Sequence, residues 1–176
     1  VTATGTTGVD TIAVDLTAGT VTGIVGGTIT LTGVERLTVN AGADNDVLSV
    51  TNFGAASALA DVTINSGADT SDTFAITGSG DANSLQITPT SSTQVLATAE
   101  AGPAVTVNLA AAGTSTYTVN GGGADDAVTV HGTTAGENIL VTRAAGATTV
   151  DVAAFKRITL TENAPNSLTI AAGLGD

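Results

Sequence analysis

The sequence predicts an all-β chain folded as a β-solenoid, a parallel β-helix of about seven coils with about 25 residues in each. Three observations lead there. A two-part element recurs: LTVNAGADNDVLSV at 37–50, VTINSGADTSDTFAI at 62–76 and YTVNGGGADDAVTV at 117–130, with its first half again at 168–176 as LTIAAGLGD. Self-similarity of this kind marks repeat architectures, in which one supersecondary unit stacks on the next. Within the element, apolar residues alternate with polar ones, the period-two pattern of a strand with one buried face. Between the runs stand Gly, Asn and Asp, which make tight turns because they tolerate left-handed backbone or bond to it through their side chains.

Composition narrows the class further. With 42% hydrophobic residues and a mean hydropathy of +0.36 the chain is not disordered. Only 2% of residues are aromatic, and there is no Trp or Met, so the core must consist of many small, similar layers. Four basic residues (Arg36, Arg143, Lys156, Arg157) face sixteen acidic ones, for a net charge of -12. Phosphate binding needs clustered Lys and Arg, and single strands need stacking aromatics, so nucleic acid is excluded as a partner. The acidic balance suits solubility at high density or divalent cations. Without Cys there is neither disulfide nor thiol chemistry, which leaves the compartment open. No apolar run approaches the roughly 20 residues of a membrane span, so no membrane insertion is expected.

Taken in order, the chain opens with GTTGVDTIAV at 5–14: a Gly-Thr turn, Asp10 before the strand, then Ile12 and Val14 on one face. GTTAGENILV at 132–141 repeats it, with Glu137 in the place of Asp10, and GSGDANSLQI at 78–87 is a looser copy. Less regular β segments lie between: 21–25 and 28–31, 94–99 and 105–109, 148–152 and 158–160. Turn signals at Thr17-Ala18-Gly19, Ser91-Ser92 and Ala144-Ala145-Gly146 allow local hairpins there. About sixteen strands and no helix are expected; AASALA at 55–60 is too short to stand as one.

Starting each unit at the strand after its Asp turn divides the single repetitive domain into roughly 1–46, 47–71, 72–125 and 126–176. These lengths approximate two, one, two and two multiples of 25 residues, hence seven three-stranded coils. At roughly 4.8 Å per strand such a stack stands about 34 Å tall. The alternative is an array of β-sandwich modules, which hairpins with Ala-Gly turns would suit.

The final AGLGD, followed by the opening VTATGTTGVDTIAV, parallels the internal GADDAVTVHGTTAGENILV at 123–141 with one residue deleted. The expectation is therefore one period of a longer array, or a subunit that stacks end to end, either of which covers its open strand edges.

Candidate chemistry centres on calcium. Asp44, Asn45, Asp46, Asp69, Asp72, Asp125, Asp126 and Asp176 sit in Gly-rich turns, where carboxylates and bent carbonyls supply the oxygen ligands Ca²⁺ prefers. GGGADDAVTV at 121–130 resembles the nonapeptides of hemolysin-type calcium-binding β-rolls, although those follow one another directly and these are 25 to 55 residues apart. The competing reading makes the same residues turn stabilisers. Asn40, Asn65 and Asn120 each follow an apolar run and precede a Gly by two, a place where amides can ladder at a corner in the αL conformation.

His131 is the one histidine and no nucleophile elbow accompanies it, so a Ser-His-Asp hydrolase is not supported. A polysaccharide-degrading β-helix needs a singular carboxylate cluster and aromatic sugar platforms, whereas here Asp pairs recur with the repeat. Tyr117, Phe53, Phe74 and Phe155 read as core filling. Glu35-Arg36 and Lys156-Arg157 read as solvated charges or as ion pairs between coils. No catalytic residue is assigned.

GVERLTVN at 33–40, its Asp turn and the Gly-Thr-Thr-x-x-Asp/Glu-x-Ile-x-Val element resemble the repeats of giant secreted bacterial surface proteins of planctomycete type. That resemblance implies an extracellular or cell-surface location and a structural or adhesive task, the latter with a surface or glycan ligand.

Overall fold

The computed structural model describes residues 1–110, 115–123, 125–133, 138–144, 146–161 and 167–173. The chain winds between two facing sheets. β1 (Thr2–Thr4) lies in sheet A; β2 (Thr11–Asp15), β3 (Thr20–Ile24) and β4 (Gly27–Thr30) form an antiparallel meander in sheet B. β5 (Arg36–Asn40) and β7 (Asp61–Asn65) return to sheet A, alternating with β6 (Val47–Phe53) and β8 (Thr73–Gly78) in sheet B. β9 (Ser84–Pro89), β10 (Gln94–Ala99) and β11 (Ala104–Asn108) make a second meander, in sheet A. β12 (Thr116–Asn120) crosses to sheet B and β13 (Ala127–His131) back to A. The third meander, β14 (Ile139–Ala144), β15 (Ala147–Val152) and β16 (Ile158–Thr161), lies in B, and β17 (Ser167–Ala171) in A.

Among the described residues this gives eight strands in sheet A, ordered β1-β5-β7-β11-β10-β9-β13-β17, and nine in sheet B, ordered β14-β15-β16-β12-β8-β6-β2-β3-β4. No helix occurs among them. Strands of successive coils pair in parallel, as in Arg36↔Asp61 through Asn40↔Asn65. Parallel pairing across coils makes the fold a solenoid, not an array of Greek-key sandwiches.

Alternation in the sequence becomes burial. In β7 the pattern is Val62 and Ile64 inward, Asp61, Thr63 and Asn65 outward, and β8, β9, β11, β12 and β13 repeat it. The inward Val, Ile and Leu form one core between the sheets. Phe53, Phe74 and Tyr117 are fully buried there, and the Phe74 and Tyr117 rings lie 5.0 Å apart at 38°. Core filling is the role expected of them.

The coil count is about four, not seven, and each coil has two strands, not three. Asn40 and Asn65 stand one coil and 25 residues apart, as expected. Asn65 and Asn108 are also one coil apart, yet 43 residues separate them. The extra chain is not a second coil. It is a hairpin, because the turns after β2, β9 and β14 fold the strand back beside itself in its own sheet.

Candidate functional site

The conspicuous polar features are two columns at the corners where the chain passes between the sheets. Asp10, Asp46 and Asp72 each end a turn from sheet A to sheet B, immediately before β2, β6 and β8. Asp46 Oδ1 accepts the Asp10 backbone N–H at 2.8 Å, and Asp72 Oδ1 accepts that of Asp46 at 2.9 Å. All three are buried. At a turn from B to A, Asp126 Oδ1 accepts the Asn83 N–H at 2.9 Å. A carboxylate placed one strand spacing from a backbone N–H satisfies a donor that has no ladder partner at a corner.

These columns depend on a small residue beside each carboxylate. A Cβ on Gly5 would lie 2.6 Å from Asp10 Oδ2, and one on Gly121 2.4 Å from Asp126 Oδ2. The second carboxylate oxygens of Asp46, Asp72 and Asp126 are buried with no hydrogen-bonding partner among the described residues. Burial raises the Asp46 carboxyl above its ordinary 3.8, the Asp10 N–H opposes it, and the charges of Asp72, Asp10 and Asp69 add to it.

The other proposed calcium residues are placed differently. Asp44 and Asn45 are exposed at a turn tip, Asp44 with φ of 70°; Asp69 is half-buried and Asp125 exposed. Asp176 lies outside the described residues. Among the described residues no three His, Asp or Glu side chains form a group able to hold a metal ion. In the buried column one carboxyl oxygen each of Asp46 and Asp72 accepts a backbone N–H.

An amide ladder does form, with a different membership. Asn65 Nδ2 donates to Asn40 Oδ1 at 2.7 Å, Asn108 Nδ2 to Asn65 Oδ1 at 2.7 Å, and Gln94 Nε2 to Asn108 Oδ1 at 2.9 Å. Asn120 is not part of it: it ends β12 in the opposite sheet and accepts the Gly122 N–H at 3.1 Å. The asparagines are not the left-handed residues either. Gly42, Gly67 and Gly122, two positions later, take φ of 124°, 113° and 108°.

His131 ends β13, and its Nε2 lies 2.7 Å from Gln86 Oε1 on the neighbouring strand β9. Arg36 pairs with Asp61 on the next coil at 3.2 Å and Arg157 with Asp151, both on the surface. Lys156 is the exception among the charges. It is 7% exposed, its Nζ donates to the Ala110 carbonyl at 3.1 Å, and burial lowers its pKa while Asp72 partly restores it. A cleft of about 610 Å³ beside it is lined by Ser115, Tyr117, Asp151, Phe155 and Arg157, and brings in one carboxylate, already tied to Arg157.

Sequence reasoning missed Asn108, Gln94 and Lys156. Asn108 carried a signal, since VTVN at 105–108 matches the run ending at Asn120. Gln94 and Lys156 carried none for these roles, because only the fold brings Gln94 to Asn108 and Lys156 to the Ala110 carbonyl. The chain matches no protein-family model, no curated protein and no solved structure with which it was compared.

Proposed function

We propose that this chain is a structural module of an extracellular fibre or giant cell-surface protein, stacking end to end on copies of itself. One observation carries the reading: among the described residues five of the six exposed large apolar side chains lie toward the two ends of the stack, the sixth being Val47 on β6 at 46%. Val1 and Val25, at 56% and 64% exposed, lie beside the first strands β1 and β4, and Val9, at 68%, lies in the turn that joins β1 to β2. Leu140 and Val141, at 61% and 44%, lie on β14 at the other end of sheet B. Between these ends, coil after coil is sealed by buried Val, Ile and Leu.

Among the described residues no strand pairs with the outer sides of β1 and β4 or of β14 and β17, although the Val25 N–H of the β3–β4 turn reaches the Thr4 carbonyl at 3.2 Å. Unpaired strand edges with apolar side chains are templates for another strand, and each such side chain contributes about 1.5–3 kcal/mol when fully buried. Sedimentation and electron microscopy over a range of concentrations test the reading. Elongated particles that lengthen with concentration are expected; a compact 16.9 kDa monomer throughout would overturn it.

A further inference from the structure

We infer that a second copy docks on the β14/β17 end after a half turn about the stack axis, so that sheet A of one copy continues into sheet B of the next. This rests on the stacking reading above and adds the strand pairing that stacking requires. The connections of the chain carry it. With places counted from the β1/β4 end, β1 is first in sheet A and β2 third in sheet B. The links β5 to β6, β7 to β8, β11 to β12 and β13 to β14 make the same climb of two places on crossing from A to B. β17 occupies the eighth place in A. A strand following it by the same climb falls at the tenth place of B, directly against β14 in the ninth.

Sheet heights agree. Eight strands in A and nine in B leave the sheets unequal by one strand. Copies stacked without rotation, A on A and B on B, would fall out of step by one spacing of roughly 4.8 Å at every junction. Copies related by a half turn place eight on nine and nine on eight, and the difference cancels over two copies. The rise per copy is then about 41 Å and the axial repeat about 82 Å, from 4.8 Å per strand.

Register follows from pairs already present. The first strand of each internal meander pairs in parallel with the next coil through its first inward residue, Ile12↔Leu48 and Leu85↔Val128. In β14 that residue is Ile139, and in β1 it is Val1, since Thr2 stands level with Thr38. Hence Ile139 meets Val1 of the second copy, Leu140 meets its Thr2 and Val141 its Ala3. The last strand of each meander pairs with the preceding coil, Val105↔Val62 and Ile158↔Tyr117. By the same rule Ile29 of the second copy meets Leu168 on β17. The junction covers the exposed Val1 and Val141 and completes burial of Leu168 and Ile170, which are only half-buried.

The chain has no Cys, so introduced pairs report the junction directly. Thr2, Leu140 and Thr169 are exposed and point outward. Neighbouring strands are within disulfide reach. Oxidation of the T2C/L140C variant is expected to give a ladder of covalent oligomers, with T2C/T169C and each single variant giving none. Unreacted T2C/L140C with cross-linked T2C/T169C would overturn the half turn while leaving stacking intact. Failure of both pairs, with every variant folded by circular dichroism and monomeric, would overturn stacking itself. Filaments with an axial repeat of about 41 Å instead of about 82 Å would also overturn the half turn.

Discussion

Replacing Asp46 separates the part its carboxylate plays as a hydrogen-bond acceptor from the part it plays as a charge. In Asp46→Ala the Asp10 N–H, held at 2.8 Å and buried, loses its acceptor. An orphaned buried donor costs about 1–3 kcal/mol. In a chain of this size each kcal/mol moves the melting temperature by about 2–4 °C, so a fall of about 2–12 °C is expected. Asp46→Asn keeps an acceptor oxygen and replaces an oxygen that lacks a hydrogen-bonding partner, so it should cost less than about 1 kcal/mol. Asn83 already occupies the equivalent place at the opposite corner.

The two variants also differ in pH dependence. The folded Asp46 carboxyl binds its proton more tightly than the unfolded one, chiefly because of burial. Its contribution to stability is therefore fully present below the unfolded value of 3.8 and is lost as pH rises through the folded value. Melting curves between pH 7 and 4, read by circular dichroism, should show the parent gaining on Asp46→Asn as the pH falls. An Ala variant as stable as the parent, or less harmed than the Asn variant, would refute the ladder as the reason for this residue.

Tyr117→Phe removes a buried hydroxyl that finds no hydrogen-bonding partner among the described residues and keeps the ring beside Phe74, so chemical denaturation should show unchanged or higher stability; a loss above about 1 kcal/mol would mean the hydroxyl has a partner. Gly67→Ala forces a side chain onto φ of 113° with its Cβ 2.1 Å from the Gly42 carbonyl oxygen, and should cost at least about 1–3 kcal/mol. Gly80→Ala, with open space around it, is the control and should melt like the parent. Millimolar Ca²⁺ or a chelator should leave the melting temperature unchanged; a calcium-dependent rise would assign Asp44, Asp69 and Asp125 to ligation.

Fold class was legible because alternation and turn chemistry are local properties. β5, β7, β8 and β12 could be read from LTVN, VTIN, FAIT and YTVN alone, and the hairpin segments from their Gly and Ser turns. Coil number was not legible. Eighteen extra residues can make most of another coil or a hairpin with the same alternating pattern, and only pairing partners distinguish them. The Asp columns show the same limit. A Gly-Asp turn is written identically whether its carboxylate faces a cation or the N–H of the layer beside it. What decides is the stacking distance, which sequence does not contain. Asn120 misled for the same reason: its local sequence matches Asn65, but an intervening hairpin and crossing put it in the other sheet.

The hairpins also explain how an irregular sequence period yields a regular stack. A plain coil uses 25 residues to add one strand to each sheet. Where Asn65 and Asn108 are 43 residues apart, the added hairpin puts two further strands into one sheet and leaves the other where it was. Three hairpins in the same sheet would raise it by six strands, and the corner turns, five to seven residues between paired elements such as Asn40 and Val47, could not climb the growing difference. Their placement in B, then A, then B keeps the A-to-B climb constant at two places, so the corners before β2, β6 and β8 can use the same short Gly and Asp turn. The constancy of that climb is what lets Asp10, Asp46 and Asp72 stand in register although 36 and then 26 residues separate them. Lengthening one hairpin strand at its exposed tip would leave the column intact, whereas moving a hairpin to the other sheet would break it.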